Sequence, residues 1–292
     1  MIGLQMSIPV IGTVVAFTAV ALKKDILIQK IAEGVTGIAR PFQIVRVARA
    51  EAEAALINAE NELEISGLQR QAMERFIGEQ TQQQLNINAI TDKVFENLSE
   101  QSHPEDLDND WIANFFQKCR IVSNEEMQRL WSNVLVGEVN SPSSFSRQTV
   151  NLLADLDARD AKSFERLLRF CCVVNGILTP FILPLTESVY KDEGFDLNEL
   201  AHLDSLGLVS NARLYDVHLR LSQDPTTIQY FNESAVFTRK ANSRGHWRIQ
   251  IGRTSFTRAG RELARIVAAS PVPGFFEHVL ATARRHGERI ET

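Results

Sequence analysis

Apolar positions open the chain in a run that holds no charged residue before Lys23 and Lys24. A helix over residues 2–22 would be roughly 31 Å long at ~1.5 Å per residue, which matches a bilayer core of ~30 Å. The pattern therefore predicts a membrane helix with the two lysines on its cytoplasmic side. Two other interpretations stay open: a helix buried in protein or facing another subunit, and a cleaved signal peptide ending near Ala19-Val20-Ala21.

Apolar residues again follow the spacing of a helix in a long stretch from about Val45 to Leu98. Small or apolar residues recur in its first half every three or four positions: Ala48, Ala52, Ala55, Ala59 and Leu63. Such a seam allows two helices to pack closely. Apolar spacing resumes at Met73, Phe76 and Ile77. We expect either an element that joins subunits or an ordinary helical hairpin within one domain.

The middle of the chain has the pattern of a compact helical bundle. One stripe follows the spacing i, i+3, i+4, i+7 and i+8. Its members are Met127, Leu130, Trp131, Val134 and Leu135. Ser123 and Glu126 match a capping box, S-x-x-E. Further helix N-caps are expected at Asp108 or Asp110 and at Asp157.

Alternating polar and apolar residues distinguish the last third of the chain. Strands are predicted at 214–221, 235–238 and 247–251, and the last two flank the turn-forming segment KANSRG. Helices are predicted at 196–209 and, with Thr257 as N-cap, in FTRAGRELARIV. A helix, a β-hairpin and a second helix in this order resemble a winged-helix module.

Together these patterns predict a mainly α protein with long N-terminal helices, a central helical bundle and a C-terminal winged-helix-like α+β module. The corresponding segments are residues 1–24, 25–103, 104–178 and 179–292. A chain of 292 residues with 44% hydrophobic residues has enough apolar surface to bury cores of this kind.

Charge is unevenly distributed along the chain. The net charge is −5, but residues 236–292 hold 11 Lys and Arg against 4 Asp and Glu, so this part carries +7 and the remainder −12. Five cations on or near the predicted hairpin are candidate contacts for phosphate or lipid anions: Arg239, Lys240, Arg244, Arg248 and Arg253. The predicted recognition helix carries Asp196, Glu199 and Asp204 and no Lys or Arg, which disfavours DNA binding.

No motif in the sequence predicts catalysis, a cofactor or a metal. The chain lacks a Gly-rich phosphate loop, H-E-x-x-H, C-x-x-C and a nucleophile elbow. The acidic segment PEDLDND has Trp111 and Gln117 where a calcium loop needs Gly and Glu. Cys119, Cys171 and Cys172 do not form a disulfide framework and favour a reducing compartment. The vicinal pair is expected to pack as small apolar side chains.

The segment from Asp110 to Phe164, DWIANFFQKCRIVSNEEMQRLWSNVLVGEVNSPSSFSRQTVNLLADLDARDAKSF, resembles an uncharacterised bacterial family, the domain of unknown function numbered twenty-eight-oh-six. The upstream stretches RVARAEAEAALINAE and LQRQAMERF extend this resemblance. The chain is also distantly similar to the abortive-infection Abi-alpha group, which implies a role in defence against phage. The family offers no catalytic residue to transfer, and Pro142-Ser143 stands where its pattern leads us to expect Pro-Gly in a turn.

These observations predict a non-enzymatic helical scaffold or effector that is membrane-associated and forms homo-oligomers through its long helix. Its expected location is the bacterial inner membrane, with the globular part in the cytoplasm. The resemblance implies anti-phage defence by abortive infection, with an unidentified protein partner. The alternative is a cytoplasmic regulator that binds DNA through its basic wing.

Overall fold

The computed structural model describes residues 10–34, 67–211, 217–221, 224–238, 248–285 and 289–291. The chain divides into two compact units, Met1–Ala154 and Asp155–Thr292. The four segments predicted from the sequence have different bounds, and those bounds stay predictions.

Helices make up the described part of the first unit. They are α1, Val10–Gly34; α2, Gly67–Glu96; a 3-10 turn, Pro104–Asp106; α3, Asn109–Cys119; α4, Glu125–Asn140; and α5, Arg147–Asp155. α1 runs through Lys23 and Lys24 without a break, so these lysines do not end the helix. The predicted seam from Ala48 to Leu63 lies outside the described residues.

The core of the first unit is built from the faces that the apolar stripes predict. α4 buries Trp131, Val134 and Leu135 and packs against the buried C-terminal half of α2. α3 buries Trp111 and Phe115, whose rings stack with their centroids 5.2 Å apart. Because each Å² of apolar surface removed from water stabilises by roughly 25 cal/mol, these faces hold the helices together.

Side-chain caps determine where several helices begin. Asp108 and Asp157 cap their helices through side-chain oxygens, as predicted. The capping box predicted over Ser123–Glu126 is wrong. The N-cap of α4 is Asn124, whose side chain accepts a hydrogen bond from the backbone N–H of Met127 at 3.0 Å. Asn and Ser are equally good N-caps, so the sequence rule alone does not choose between neighbouring positions.

The turn between α4 and α5 is organised by a buried carboxylate. Glu138 accepts hydrogen bonds from the backbone N–H groups of Ser143 at 2.7 Å and Phe145 at 2.8 Å. Burial raises the pKa of Glu138, although these hydrogen bonds act in the opposite direction. Ser143 follows Pro142 with a positive φ of 69°, the region that a Pro-Gly turn would give to glycine.

Strands alternate with short helices in the second unit. The elements are α6, Ala158–Leu168; β1, Cys171–Val174; β2, Ile177–Pro180; α7, Ser188–Lys191; α8, Leu197–Ser205; β3, Val209–Asn211; β4, Val217–Arg220; β5, Thr226–Tyr230; β6, Glu233–Thr238; β7, Arg248–Gly252; β8, Thr254–Phe256; α9, Arg258–Leu263; α10, Phe275–Arg285; and β9, Arg289–Glu291. All strands that the structure describes lie in this unit.

The largest sheet is antiparallel, with its strands in the order β2-β1-β5-β6-β9. β1 and β2 form a hairpin around Asn175 and Gly176, whose φ angles of 51° and 77° are both positive, as a tight two-residue turn requires. Cys171 and Cys172 lie in β1 with their side chains buried, as predicted. The last residues predicted as helical bundle are therefore strands.

Two smaller antiparallel sheets pair β3 with β8 and β4 with β7. The predicted hairpin of 235–238 with 247–251 is wrong, since β6 pairs with β5 and β9 whereas β7 pairs with β4. Alternation identifies a strand but not its partner, because all half-buried strands share the same period. The fold is thus mainly helical with small antiparallel sheets, and the winged-helix arrangement stays a prediction.

Aromatic side chains fill the centre of the second unit. The ring of Phe170 contacts those of Tyr190 and Phe275, with centroids 4.9 and 5.3 Å apart. The buried Tyr190 hydroxyl donates to the Phe181 carbonyl at 2.9 Å and accepts from the Leu183 backbone N–H at 3.1 Å. These bonds hold the start of the loop that follows β2.

The motif FTRAGREL places α9 directly against the chain that follows α8. Thr257 caps α9, as predicted, by accepting from the backbone N–H of Gly260 at 3.0 Å. Its hydroxyl donates to the Gly207 carbonyl at 2.6 Å. A Cβ at Gly260 would lie 1.8 Å from the carbonyl oxygen of Leu208, so a larger residue does not fit.

Candidate functional site

Of the cations predicted to contact anions, the structure describes the side chain of Arg253 alone. Arg253 lies between β7 and β8, where it is exposed. Arg239, Lys240 and Arg244 lie outside the described residues, as does the side chain of Arg248, whose backbone begins β7. That these five cations form one cluster therefore stays a prediction.

Arg253 borders a cavity of about 830 Å³ in the second unit, which we call the α8 cavity. One wall is the loop of residues 182–186, after β2. A second wall is one face of α8, with the spacing i, i+3, i+4 and i+7: Leu197, Leu200, Ala201 and Asp204. The volume lies within the ~300–1,000 Å³ typical of small-molecule sites.

A close backbone contact holds the loop wall of the α8 cavity against β7. The backbone N–H of Ile182 donates to the Ile251 carbonyl at 3.0 Å. A Cβ at Gly252 would lie 1.7 Å from the Ile182 carbonyl oxygen, and Gly252 has a φ of 100°. Position 252 therefore admits only glycine.

Polar side chains gather at one end of the α8 cavity. Asp204 accepts a hydrogen bond from the backbone N–H of Asn211 at 3.3 Å, and Asn211 pairs with Thr254 across β3 and β8. Gln250 and Arg253 also line the cavity. Thr254 is 0% exposed, and its hydroxyl has no hydrogen-bond partner among the residues that the structure describes. The cavity lining thus combines a carboxylate, a guanidinium and two carboxamides.

α8 is the predicted recognition helix, and its acidic side chains are engaged inside the second unit. Glu199 forms an ion pair with Arg166 of α6, and Asp204 lines the α8 cavity. The helix contains no Lys or Arg. It therefore offers no side chain for bidentate recognition of guanine.

One side-chain contact between α6 and α8 could not be predicted from the sequence. His202 stands near Asp204 in the sequence, but its Nε2 atom lies 2.7 Å from Oδ1 of Asp160. These two residues are 42 positions apart, so no local spacing could reveal the pair. Only the packing of α6 on α8 brings them together.

The thiols of Cys119, Cys171 and Cys172 are buried and free. Burial raises the pKa of each thiol, so the protonated, unreactive form is favoured. Within the part of the chain that the structure describes, no group of three or more His, Cys, Asp or Glu is placed to hold a metal ion.

A second candidate surface lies on the first half of α2. Residues 67–84 are mostly exposed, and the buried positions of α2 begin at Asn86. Leu68, Met73 and Phe76 are 76%, 39% and 60% exposed. At about 100° per residue they fall within an arc of about 140°, a width typical of an apolar helix face. We call these three side chains the α2 surface.

The apolar N-terminal segment is described only from Val10 onward. Among the described residues, no helix combines the length and the apolar character needed to cross a bilayer. α1 packs on α3 and buries Leu27 and Ile31 completely. The Lys23 ammonium donates to a carboxylate oxygen of Glu105 at 2.8 Å, and this bond lowers the pKa of Glu105.

These features define a mainly helical protein of two units that contains a small-molecule-sized cavity and an exposed apolar helix face. Residues 69–280 match the family described as protein of unknown function (DUF2806), and the chain belongs to this family. The predicted family is thereby confirmed, whereas the similarity to the Abi-alpha group stays a prediction. No curated protein and no solved structure matches the chain.

Proposed function

We propose that this protein is a non-enzymatic scaffold that self-associates through the α2 surface. The observation that carries the proposal is the exposure of Leu68, Met73 and Phe76 on the first half of α2. Fully burying a large apolar side chain stabilises by about 1.5–3 kcal/mol, so pairing two copies of this face is favourable.

Charge placement on α2 supports a second copy as the partner. Arg75 and Glu79 form an i, i+4 ion pair, with their closest atoms 3.5 Å apart, at the edge of the apolar arc. Charged residues that flank an apolar seam are typical of helices that associate with one another. The small-residue seam that the sequence predicts from Ala48 to Leu63 directly precedes α2 and supports the same proposal.

Light scattering coupled to size-exclusion chromatography tests the self-association. We expect the full chain to elute as an oligomer and the double variant Leu68→Ser, Phe76→Ser to elute as a monomer with an unchanged far-UV circular dichroism spectrum. The matched control is Arg70→Ser with Glu74→Ser, on the opposite side of the same helix, which should stay oligomeric. A wild-type monomer at all concentrations would sink the proposal.

We further propose that the scaffold acts at the bacterial inner membrane in defence against phage. The support is the uncharged run over residues 2–22 and the resemblance of the sequence to abortive-infection proteins. Removing residues 1–22 keeps Lys23 and its bond to Glu105. We expect this truncation to move the protein from the membrane fraction to the soluble fraction and to restore phage plating on cells that express it. Full protection by the truncated protein rules out the membrane-dependent mechanism.

The rival proposal is a DNA-binding regulator that uses its basic wing. It requires salt-dependent DNA affinity that is lost in Arg244→Ala and Arg248→Ala. α8 argues against it, because this helix presents no cation to a major groove. DNA binding that disappears in those two variants would favour the regulator over the scaffold.

A further inference from the structure

We propose that the α8 cavity binds a small zwitterion with an aliphatic body, of the kind represented by a long-chain α-amino acid. The cavity belongs to the second unit, so this proposal does not depend on self-association through the α2 surface. Three features of the cavity carry it: an aliphatic wall, a polar end that holds both signs of charge, and a volume larger than one small amino acid.

The walls of the α8 cavity select for an aliphatic body. Leu183 and Leu185 of the loop line the cavity, as do Leu197 and Leu200 of α8. None of the lining residues that the structure describes is aromatic, so this part of the lining offers no ring on which a nucleobase could stack. Leu197 is 64% exposed, and an apolar ligand would remove part of this surface from water.

The polar end selects for a head group with two opposite charges. The backbone N–H of Asn211 donates to Asp204, and Asn211 pairs with Thr254, the residue after Arg253. Asp204 and Arg253 therefore belong to neighbouring parts of the cavity lining. A simple anion such as phosphate or a fatty acid would meet the Asp204 carboxylate, and a simple amine would meet the Arg253 guanidinium. An α-amino acid carries an ammonium for Asp204 and a carboxylate for Arg253 on a single carbon.

Chain length should control the affinity for this cavity. Each methylene buried stabilises by about 0.8 kcal/mol, so affinity should rise about fourfold per carbon until the cavity is full. The cavity of about 830 Å³ leaves room for several carbons beyond leucine. Thr254, Asn211 and Gln250 supply further hydrogen-bonding groups in the cavity lining.

Calorimetric titration of the full chain with three ligands of equal chain length tests the charge requirement. The ligands are 2-aminodecanoate, decanoate and decylamine, below their aggregation concentrations. We expect 2-aminodecanoate to bind at least about tenfold more tightly than either singly charged relative. The proposal is overturned by equal affinity for all three, or by no saturable binding of 2-aminodecanoate below about 1 mM.

Variants then locate the site. Arg253→Gln should lower 2-aminodecanoate affinity to about that of decylamine, and Asp204→Asn to about that of decanoate. Ala201→Trp should block all three ligands by filling the cavity from the α8 side. Arg261→Gln, an exposed arginine on α9 outside the cavity lining, is the control and should bind as the wild type does. Binding that survives Ala201→Trp would place the ligand elsewhere and overturn the assignment.

Discussion

At the scale of single residues, the turn after α4 contains two energetically costly features. Glu138 is 3% exposed although it is a carboxylate, and Ser143 adopts a left-handed backbone conformation although it is not glycine. The two are linked, since the backbone N–H of Ser143 donates to Glu138 at 2.7 Å. Each of these two features leads to its own prediction for the free energy of unfolding.

Ser143→Gly should stabilise the protein by about 0.5–1 kcal/mol. A left-handed conformation costs an L residue roughly 1–2 kcal/mol, and the greater freedom of glycine in the unfolded chain cancels part of the gain. The N–H bond to Glu138 is kept. Urea unfolding measures the change, and Ser141→Gly, at a φ of −145°, is the control that should lose stability.

Glu138→Gln tests the buried carboxylate through pH. Burial raises the pKa of Glu138, so the folded protein binds the proton more tightly than the unfolded chain, whose value is near 4.5. The stability that this group contributes is fully present below that pH and is lost as the pH rises through the folded-state pKa. The stability of the wild type minus that of the variant should therefore decrease above pH 4.5. A difference that grows with pH would contradict the raised pKa.

Side-chain caps and side-chain pairs differ in how well the sequence predicts them. Asp108, Asp157 and Thr257 cap helices as predicted, because an N-cap bonds to a backbone N–H only two or three residues away. The contact of His202 with Asp160 depends on the packing of two helices and could not be predicted from local spacing.

At the scale of elements, α9 shows how close approach restricts a helix. Its Gly260 lies against the Leu208 carbonyl, and its cap Thr257 bonds to the chain just before that residue. Gly78 in the exposed half of α2 is the opposite case: apart from the helix's own nearby backbone, no atom of the described residues would lie within 4 Å of a Cβ there. A side chain at position 260 would therefore clash with the backbone, whereas position 78 has room for one.

Gly260→Ala and Gly78→Ala should change stability in opposite directions. The methyl group at 260 must displace the Leu208 carbonyl, and such overpacking costs about 2–3 kcal/mol. At 78 alanine has the higher helix propensity and should stabilise by about 0.5–1 kcal/mol. Thermal or urea unfolding of both variants measures this. Equal effects at the two sites would show that the backbone contact at 260 is unimportant.

Helices were easier to predict than strand pairing, for a physical reason. The stripe through Trp131 identifies the buried face of α4 because helical neighbours are close in sequence. The β1–β2 hairpin is not among the predicted elements, although Asn175-Gly176 is a strong turn signal between two apolar runs. The partners of β6 and β7 depend on contacts between distant segments, so alternation alone gave the wrong pairing.

At the scale of the whole molecule, each unit has its own core. The aromatic cluster around Phe170 and the five-stranded sheet lie wholly within Asp155–Thr292. Charge pattern pointed to Arg253 in this unit, but the α8 cavity could not be predicted. Its walls come from a loop, a helix and two separate sheets that only the tertiary fold brings together.

A fragment of residues 155–292 should fold without the first unit. Its strands pair with one another, and the cluster of Phe170, Tyr190 and Phe275 supplies a core. We expect near-UV circular dichroism of a packed aromatic core and a single cooperative urea transition. A broad, non-cooperative transition with loss of the near-UV signal would show that this unit needs the rest of the chain.

The unbroken course of α1 has a mechanical consequence for anything that captures its N-terminal end. Leu27 and Ile31 are locked into the first unit and Lys23 is bonded to Glu105, while the same helix continues back to Val10. A continuous helix rises ~1.5 Å per residue and resists bending, so the distance between its two ends is fixed. A partner that binds the N-terminal end of α1 would therefore hold the first unit at a fixed distance from itself and in a fixed orientation.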